Sequence, residues 1–86
     1  MPQISRFFGI IICMYFDNHY PPHFHAIYNE YEAEISITSL AIIKGNLPAR
    51  VLGLVIEWAT NNKDELLLNW HRIENNIPPE KIKPLE

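Results

Sequence analysis

The sequence is short of cysteine, glycine and long apolar runs, and each shortage excludes a class of protein. The single cysteine, Cys13, allows no internal disulfide, and its apolar neighbours predict a buried, unreactive thiol. The three glycines lie far apart, which excludes a glycine-rich phosphate-binding loop. A membrane helix needs about 20 consecutive apolar residues, and no run in the sequence is close to that length. The N-terminus also lacks the pattern of a secretory signal. We therefore expect a cytoplasmic protein with no membrane association.

Positive charge is also scarce. The 86 residues carry seven Lys or Arg against ten Asp or Glu, which gives a net charge of −3 with neutral histidines. The basic residues form no cluster, so nucleic acid is not expected as a direct ligand. The apolar fraction of 48% and the charged fraction of 20% are typical of a small globular domain, and the compactness of the chain suggests a prokaryotic source.

The first half of the chain has the pattern of β-strands. Gly9 follows Phe8 between two apolar stretches and predicts a tight hairpin turn, because glycine adopts positive φ without strain. The continuous apolar run 10–16 predicts an internal strand that is buried on both faces. The next residues, DNHYPP, are turn formers and would end that strand.

Two alternating segments, HFHAIY and YEAEISI, flank Asn29-Glu30 and predict a second hairpin with a two-residue turn. Since side chains alternate between the faces of a strand, this turn sets the register of every cross-strand pair. The apolar face would consist of three pairs, Tyr28 with Tyr31, Ala26 with Ala33, and Phe24 with Ile35. A turn at Thr38-Ser39 would lead into a last strand, LAIIK, ended by Gly45.

The second half has the apolar spacing of helices, with apolar residues every three or four positions. Pro48 suits the first helical position. Asn62 and Glu65 have the spacing of a capping box, which would start a second helix, although one helix with a sharp bend also fits. The tail 77–86 is rich in proline, and we expect it to be ordered only through contact with another surface.

Together these elements predict an α+β fold. A small antiparallel sheet of about four to five strands in the N-terminal half would pack against one long or two C-terminal helices. We expect a single domain over residues 1–76, followed by the proline-rich tail 77–86.

The hairpin register also places His23 and His25 on the face opposite the apolar pairs, together with Glu32 and Glu34. His25 would lie directly across from Glu34, with His23 diagonal to it and close enough for contact. Such a cluster could hold a divalent metal through His23 and His25, could act as an acid–base couple, or could form a polar protein interface. The simplest alternative is that an exposed sheet face merely needs polar residues. His19 lies close by and could add a third imidazole.

Six stretches along the chain carry a resemblance: MPQISRFFG, YFDNHYPPHFH, YEAEI, GNLPAR, EWA and KDELLLNW. In this order they resemble a small bacterial family catalogued as domain of unknown function 4160. At the first turn, Phe8-Gly9 departs from the Asn-Gly usual in that family. The resemblance implies no established activity or catalytic residues. It does suggest that any shared function involves the proline and histidine segment, because Pro21, Pro22, His23 and His25 match the family's signature.

Proteins of this kind are suspected to be paired components of toxin–antitoxin-like modules, so the resemblance implies a small partner protein encoded nearby. Our first interpretation is a protein-binding component of such a pair. The interface candidates are His19, Tyr20, Pro21, Pro22 and Glu32. The alternative is a small hydrolase or ribonuclease-like enzyme with His23, His25 and Glu34 as catalytic residues. No cofactor is expected, a divalent metal stays open, and so does self-association.

Overall fold

The computed structural model describes residues 2–16 and 19–86, and it shows five strands followed by two helices. The strands are β1 (Gln3–Phe7), β2 (Ile10–Cys13), β3 (His23–Tyr28), β4 (Tyr31–Ser36) and β5 (Ile42–Gly45). The helices are α1 (Ala49–Asn61) and α2 (Lys63–Glu74). The predicted α+β fold, with its antiparallel sheet in the N-terminal half, is confirmed. The predicted break, DNHYPP at residues 17–22, lies partly outside the described residues, and its described part, 19–22, contains no strand.

Two-residue turns close both predicted hairpins. Phe8 and Gly9 have φ values of 50° and 77°, and Asn29 has a φ of 52°, so each turn uses left-handed backbone. Glycine and asparagine adopt this conformation readily, which explains why the chain reverses at these points. The strands follow one another in the sheet in chain order, β1-β2-β3-β4-β5, and all neighbours are antiparallel.

Two predicted strands are too long. The apolar run 10–16 forms strand only over Ile10–Cys13, and the Met14 amide then donates to the Pro2 carbonyl at 3.1 Å. The last strand begins at Ile42 and includes Gly45, rather than beginning at Leu40. Leu40 belongs to the preceding turn, because its φ is 59° and its amide donates to the Ser36 carbonyl at 2.9 Å.

Two helices form rather than one, with Asn62 between them. Two local details differ from prediction. Pro48 precedes α1 with an extended ψ of 145° and is not its first helical residue. The capping box of Asn62 and Glu65 does not form, because the Asn62 side-chain amide donates instead to the Trp58 carbonyl at 2.8 Å. This bond ties the junction back to the last turns of α1.

The core lies between one face of the sheet and the two helices. Trp58 of α1 and Trp70 of α2 are the largest side chains in it, and the Trp58 ring centroid lies 5.4 Å from that of Phe7 and 6.0 Å from that of Phe24. Leu66 and Ile73 of α2 are also buried in the same cluster. Both helices therefore contribute a buried apolar stripe, which is what the helical spacing predicted.

The tail 77–86 contains no helix or strand, and the surface that it contacts is the domain itself. The Ile82 amide donates to the Ile4 carbonyl at 2.7 Å, and the Ile82 side chain is buried in the core. The buried Asn69 amide both donates to and accepts from the Glu80 backbone at 2.9 Å. The Trp58 indole N–H donates to the Lys83 carbonyl at 2.9 Å. The division into a domain over 1–76 and a separate tail stays a prediction.

The Ile82→Ala variant should lower the free energy of unfolding by about 2–4 kcal/mol, because it removes buried methyl groups and leaves a cavity. Its matched control is Ile77→Ala, since Ile77 lies in the same tail and is 45% exposed. We expect the control to change the free energy by no more than about 0.5 kcal/mol. Urea denaturation measures both, and equal effects of the two variants would contradict the packing of the tail.

Candidate functional site

The second face of the sheet, opposite the core, carries the two histidines of β3. His25 pairs with Glu34 and His23 pairs with Ser36 across the β3–β4 ladder. The predicted register is therefore confirmed at every pair from His23 to Tyr28. Because Phe24 and Ala26 face the core, the alternation of the strand leaves His23 and His25 side by side on the other face.

The two imidazoles are buried, although we expected an exposed sheet face. His23 is 7% exposed and His25 is 9% exposed. The Tyr15 ring stands edge-on to His25 with centroids 4.4 Å apart, and the Trp70 ring of α2 lies 5.2 Å from that of His23. The two histidine rings are themselves 5.4 Å apart. Burial of two histidines together is costly unless their polar atoms find partners, so these partners decide what the site can do.

Each imidazole uses its Nδ1 atom in a hydrogen bond to an oxygen. His23 Nδ1 lies 2.8 Å from the Pro21 carbonyl, and His25 Nδ1 lies 3.0 Å from the Glu32 carboxylate. A carbonyl or a carboxylate accepts, so both Nδ1 atoms carry the proton and donate. In a neutral imidazole with this tautomer, Nε2 keeps its lone pair and is the atom that can bind a proton or a metal.

Glu34 completes the cluster. One of its carboxylate oxygens lies 3.7 Å from His23 Nε2, and its side chain is partly buried. One ligand atom from each of His23, His25 and Glu34 can be chosen so that all three lie within 4.8 Å of one another. Two imidazole nitrogens and one carboxylate oxygen form a donor set that suits a divalent transition metal, and the same groups can also transfer protons. We refer to these three residues as the His/Glu cluster.

Sequence reasoning assigned Glu32 to an interface and missed its contact with His25. The two carboxylates pair with the imidazoles diagonally across the strands: Glu32 with His25, and Glu34 with His23. We expected His25 to contact Glu34, its direct neighbour in the ladder. Diagonal neighbours are also within reach of long side chains, and this was the signal that could have indicated Glu32.

The remaining interface candidates lie just before β3. His19, Tyr20 and Pro21 are exposed, and Pro22 is partly buried. His19 is outside the His/Glu cluster, so it adds no third imidazole there. Tyr20 is 75% exposed, and its ring centroid lies 6.3 Å from that of Trp70. These residues therefore border the buried histidines and are open to contact with another molecule.

A surface pocket reaches the carboxylate of the cluster. Its lining includes Glu32, Glu34, Lys44 and Gly45. Lys44 of β5 lies directly across the ladder from Glu34. The pocket therefore combines two carboxylates, those of Glu34 and Glu32, with the positive charge of Lys44.

Cys13 lies next to the cluster, directly across the β2–β3 ladder from His25, and it is buried as predicted. Burial raises the pKa of the Cys13 thiol, and the nearby Glu32 carboxylate raises this pKa further. A raised pKa keeps the thiol protonated near neutral pH, and only the thiolate reacts quickly as a nucleophile.

Cys13 should therefore react with a disulfide reagent such as DTNB very slowly in the folded protein at neutral pH. One thiol per chain should react promptly once the protein is unfolded in urea, which serves as the control for reagent and protein concentration. The measurement is the release of the coloured thiolate over time. Rapid release from the folded protein would contradict a buried, protonated thiol.

Comparison with known proteins identifies the family. Residues 9–71 match the family model described as Domain of unknown function (DUF4160). The chain belongs to this family. The matched region includes every residue of the His/Glu cluster and ends within α2, before the tail. No curated protein and no solved structure matches the chain. Among the described residues, no helix is both long enough and apolar enough to cross a membrane.

Proposed function

We propose that the protein is a small hydrolase, of ribonuclease type or acting on a related ester, with the His/Glu cluster as its catalytic centre. The observation that supports this proposal is the convergence of two buried imidazoles, each with Nδ1 already engaged, on the carboxylate of Glu34. Surface histidines that only make a sheet face polar have no need of such partners. Buried titratable groups that face one another beside a pocket are typical of catalytic centres.

The chemistry available to these residues is acid–base catalysis. One free Nε2 takes the proton from an attacking water or hydroxyl as its oxygen bonds to the reacting centre. The other imidazole, once protonated, gives a proton to the leaving oxygen as that bond breaks. Hydrogen bonds at Nδ1 hold both rings in orientation. The net charge of −3 favours a small or locally bound substrate over a long polyanion.

Growth upon expression and cleavage of a short RNA oligonucleotide by the purified protein test this proposal. We expect the wild-type protein to arrest growth and to cleave RNA, and His23→Ala and His25→Ala each to lower the cleavage rate by about 10²–10⁴-fold. The matched control is His71→Ala, because His71 also lies near a carboxylate, Glu74 at 3.3 Å, but on the exposed side of α2. Undiminished cleavage by both cluster variants, or the same loss in the control, would contradict the proposal.

A second candidate is the interpretation that the sequence favoured, a cytoplasmic, bacterial protein-binding component of a toxin–antitoxin-like pair. Exposed apolar groups support it. Strand β5 is one edge of the sheet and pairs with β4 alone among the described strands, and both Ile42 and Ile43 on it are exposed. Tyr20 is an exposed aromatic of the kind that anchors protein interfaces. An edge strand and an aromatic anchor together would give a partner both backbone and side-chain contacts.

Co-expression with the protein encoded beside this chain tests the second candidate. We expect the two proteins to elute together, and Tyr20→Ala to weaken their binding by at least about tenfold, as for an interface anchor. Phe8→Ala is the matched control. Phe8 is similarly exposed, but it lies in the turn before β2, whereas Tyr20 follows the other end of that strand. Separate elution of the two wild-type proteins would contradict this candidate. It would leave the hydrolase proposal standing, since that proposal needs no partner.

A further inference from the structure

We propose that His23, His25 and Glu34 bind one divalent transition-metal ion, through Nε2 of each imidazole and a carboxylate oxygen. The ion would have open positions for water. The inference deepens the proposed function and rests on it for its catalytic meaning, but it changes the chemistry. An ion held by both Nε2 atoms would leave neither imidazole free as acid or base, and it would supply an activated water for hydrolysis instead. Metal binding itself is measurable without any substrate.

The hydrogen bonds at Nδ1 are the first argument. Histidines that bind metals nearly always donate their other ring nitrogen to a carboxylate or a backbone carbonyl, which fixes the tautomer and aims the lone pair. Both types of acceptor occur here: His23 donates to the Pro21 carbonyl, and His25 donates to the Glu32 carboxylate. Both rings are therefore prepared to present Nε2, and neither needs to give up an existing bond in order to do so.

The spacing of the ligand atoms is the second argument. Bonds of about 2.0–2.2 Å to one tetrahedral ion place neighbouring ligand atoms roughly 3.3–3.6 Å apart. His23 Nε2 and the Glu34 oxygen are 3.7 Å apart, and one ligand atom can be chosen on each of the three residues, with either ring nitrogen for a histidine, so that no pair exceeds 4.8 Å. Closing the largest gap requires about 1 Å of movement, which side-chain rotation supplies. The direct ladder pairing of His25 with Glu34 holds two of the three ligands together through the backbone.

The donor set selects the class of metal. Two nitrogens and one oxygen suit Zn²⁺ and its neighbours in the first transition row, whereas Mg²⁺ and Ca²⁺ prefer oxygen alone. Three protein ligands with an open position are typical of catalytic rather than structural zinc sites. Glu32 acts as a positioning residue, because it holds the His25 ring and lies beyond the three ligands. The pocket lined by Glu34 and Lys44 opens the carboxylate ligand of the cluster to solvent.

Isothermal titration of the full metal-free chain with ZnCl₂ tests the inference. We expect one ion per chain, and His23→Ala or His25→Ala should each weaken binding by about 100-fold or more, as expected when one of three ligands is lost. His71→Ala should leave the affinity unchanged, because that exposed imidazole is outside the cluster. Circular dichroism and the melting temperature of each metal-free variant establish that it is folded. Absence of zinc binding, or equal binding by the cluster variants, would overturn the inference.

The Glu32→Gln variant provides a second, milder measurement that does not depend on removing a ligand. Glutamine keeps a side-chain oxygen near His25 but removes the charge, so zinc affinity should fall by about 10–100-fold while the metal-free melting temperature stays unchanged. An unchanged zinc affinity would overturn the role of Glu32.

Zinc binding without hydrolysis would support the metal site and contradict the proposed function. Hydrolysis that persists in EDTA, by a chain that binds no zinc, would overturn the metal site and leave the proposed function standing.

Discussion

The Trp58→Ala variant should lose about 3–5 kcal/mol of the free energy of unfolding, the largest loss we expect from a single core substitution. Trp58 is almost fully buried, and it connects the sheet, α1 and the tail. Its ring packs against Phe7 and Phe24, and its indole N–H donates to the Lys83 carbonyl at 2.9 Å. A chain of this length has a total stability of roughly 4–13 kcal/mol, so the expected loss is a large fraction of the total.

Trp58→Phe separates the packing of the ring from the hydrogen bond to the tail. Phenylalanine keeps much of the apolar contact but cannot donate, so we expect a smaller loss of about 1–3 kcal/mol. Urea denaturation measures both variants, and a shift of about 4–8 °C in melting temperature accompanies each kcal/mol in a domain of this size. A loss of less than about 1 kcal/mol in Trp58→Ala would contradict the central place of Trp58 in the core.

Gly45→Ala should lower the free energy of unfolding by about 3 kcal/mol, because two costs add. Gly45 has a φ of 79°, where an L side chain costs about 1–2 kcal/mol. An added Cβ would also lie 2.1 Å from the backbone carbonyl oxygen of Glu32, so β5 would have to move away from β4. The close approach of the two strands explains why only glycine fits at this position of β5.

Gly53→Ala is the matched control for this substitution. Gly53 lies inside α1 with nothing within 4 Å of the added Cβ, so the change should stabilise the protein by about 0.5–1 kcal/mol. Thermal denaturation should therefore show opposite shifts for the two glycine variants. A Gly45→Ala protein as stable as wild type would show that β5 does not pack against Glu32 as described.

Most of the sheet was predictable from the sequence, because local chemistry determines it. The two-residue turn at Asn29-Glu30 and the alternation on either side leave one register for β3 and β4, and the structure confirms it. Strand ends were harder to predict. Leu40 looks like a strand residue by composition, but the hydrogen bond from its amide to Ser36 keeps it in the turn. Competition between backbone partners of this kind is not visible in residue types alone.

The sequence predicted which residues form the His/Glu cluster, but it did not predict that the two histidines are buried. Register alone placed His23, His25 and Glu34 together, since cross-strand neighbours follow from pairing. The Trp70 ring, which packs against His23, belongs to α2 and is far away in the sequence. Spacing along the chain carries no signal for a contact between elements so far apart. The same holds for the tail, whose docking depends on Asn69 and Trp58.

The central claim is that both imidazoles of the His/Glu cluster carry their proton on Nδ1 and leave Nε2 free. Long-range ¹H–¹⁵N correlation spectra of the histidine side chains distinguish the two neutral tautomers directly. In the metal-free protein in mildly alkaline buffer, we predict the Nδ1–H tautomer for both His23 and His25. The exposed His19 provides an internal reference, expected to show the tautomer mixture of a solvated ring. An Nε2–H tautomer at either cluster histidine would contradict the account, because that ring could then neither accept a proton nor bind a metal at Nε2.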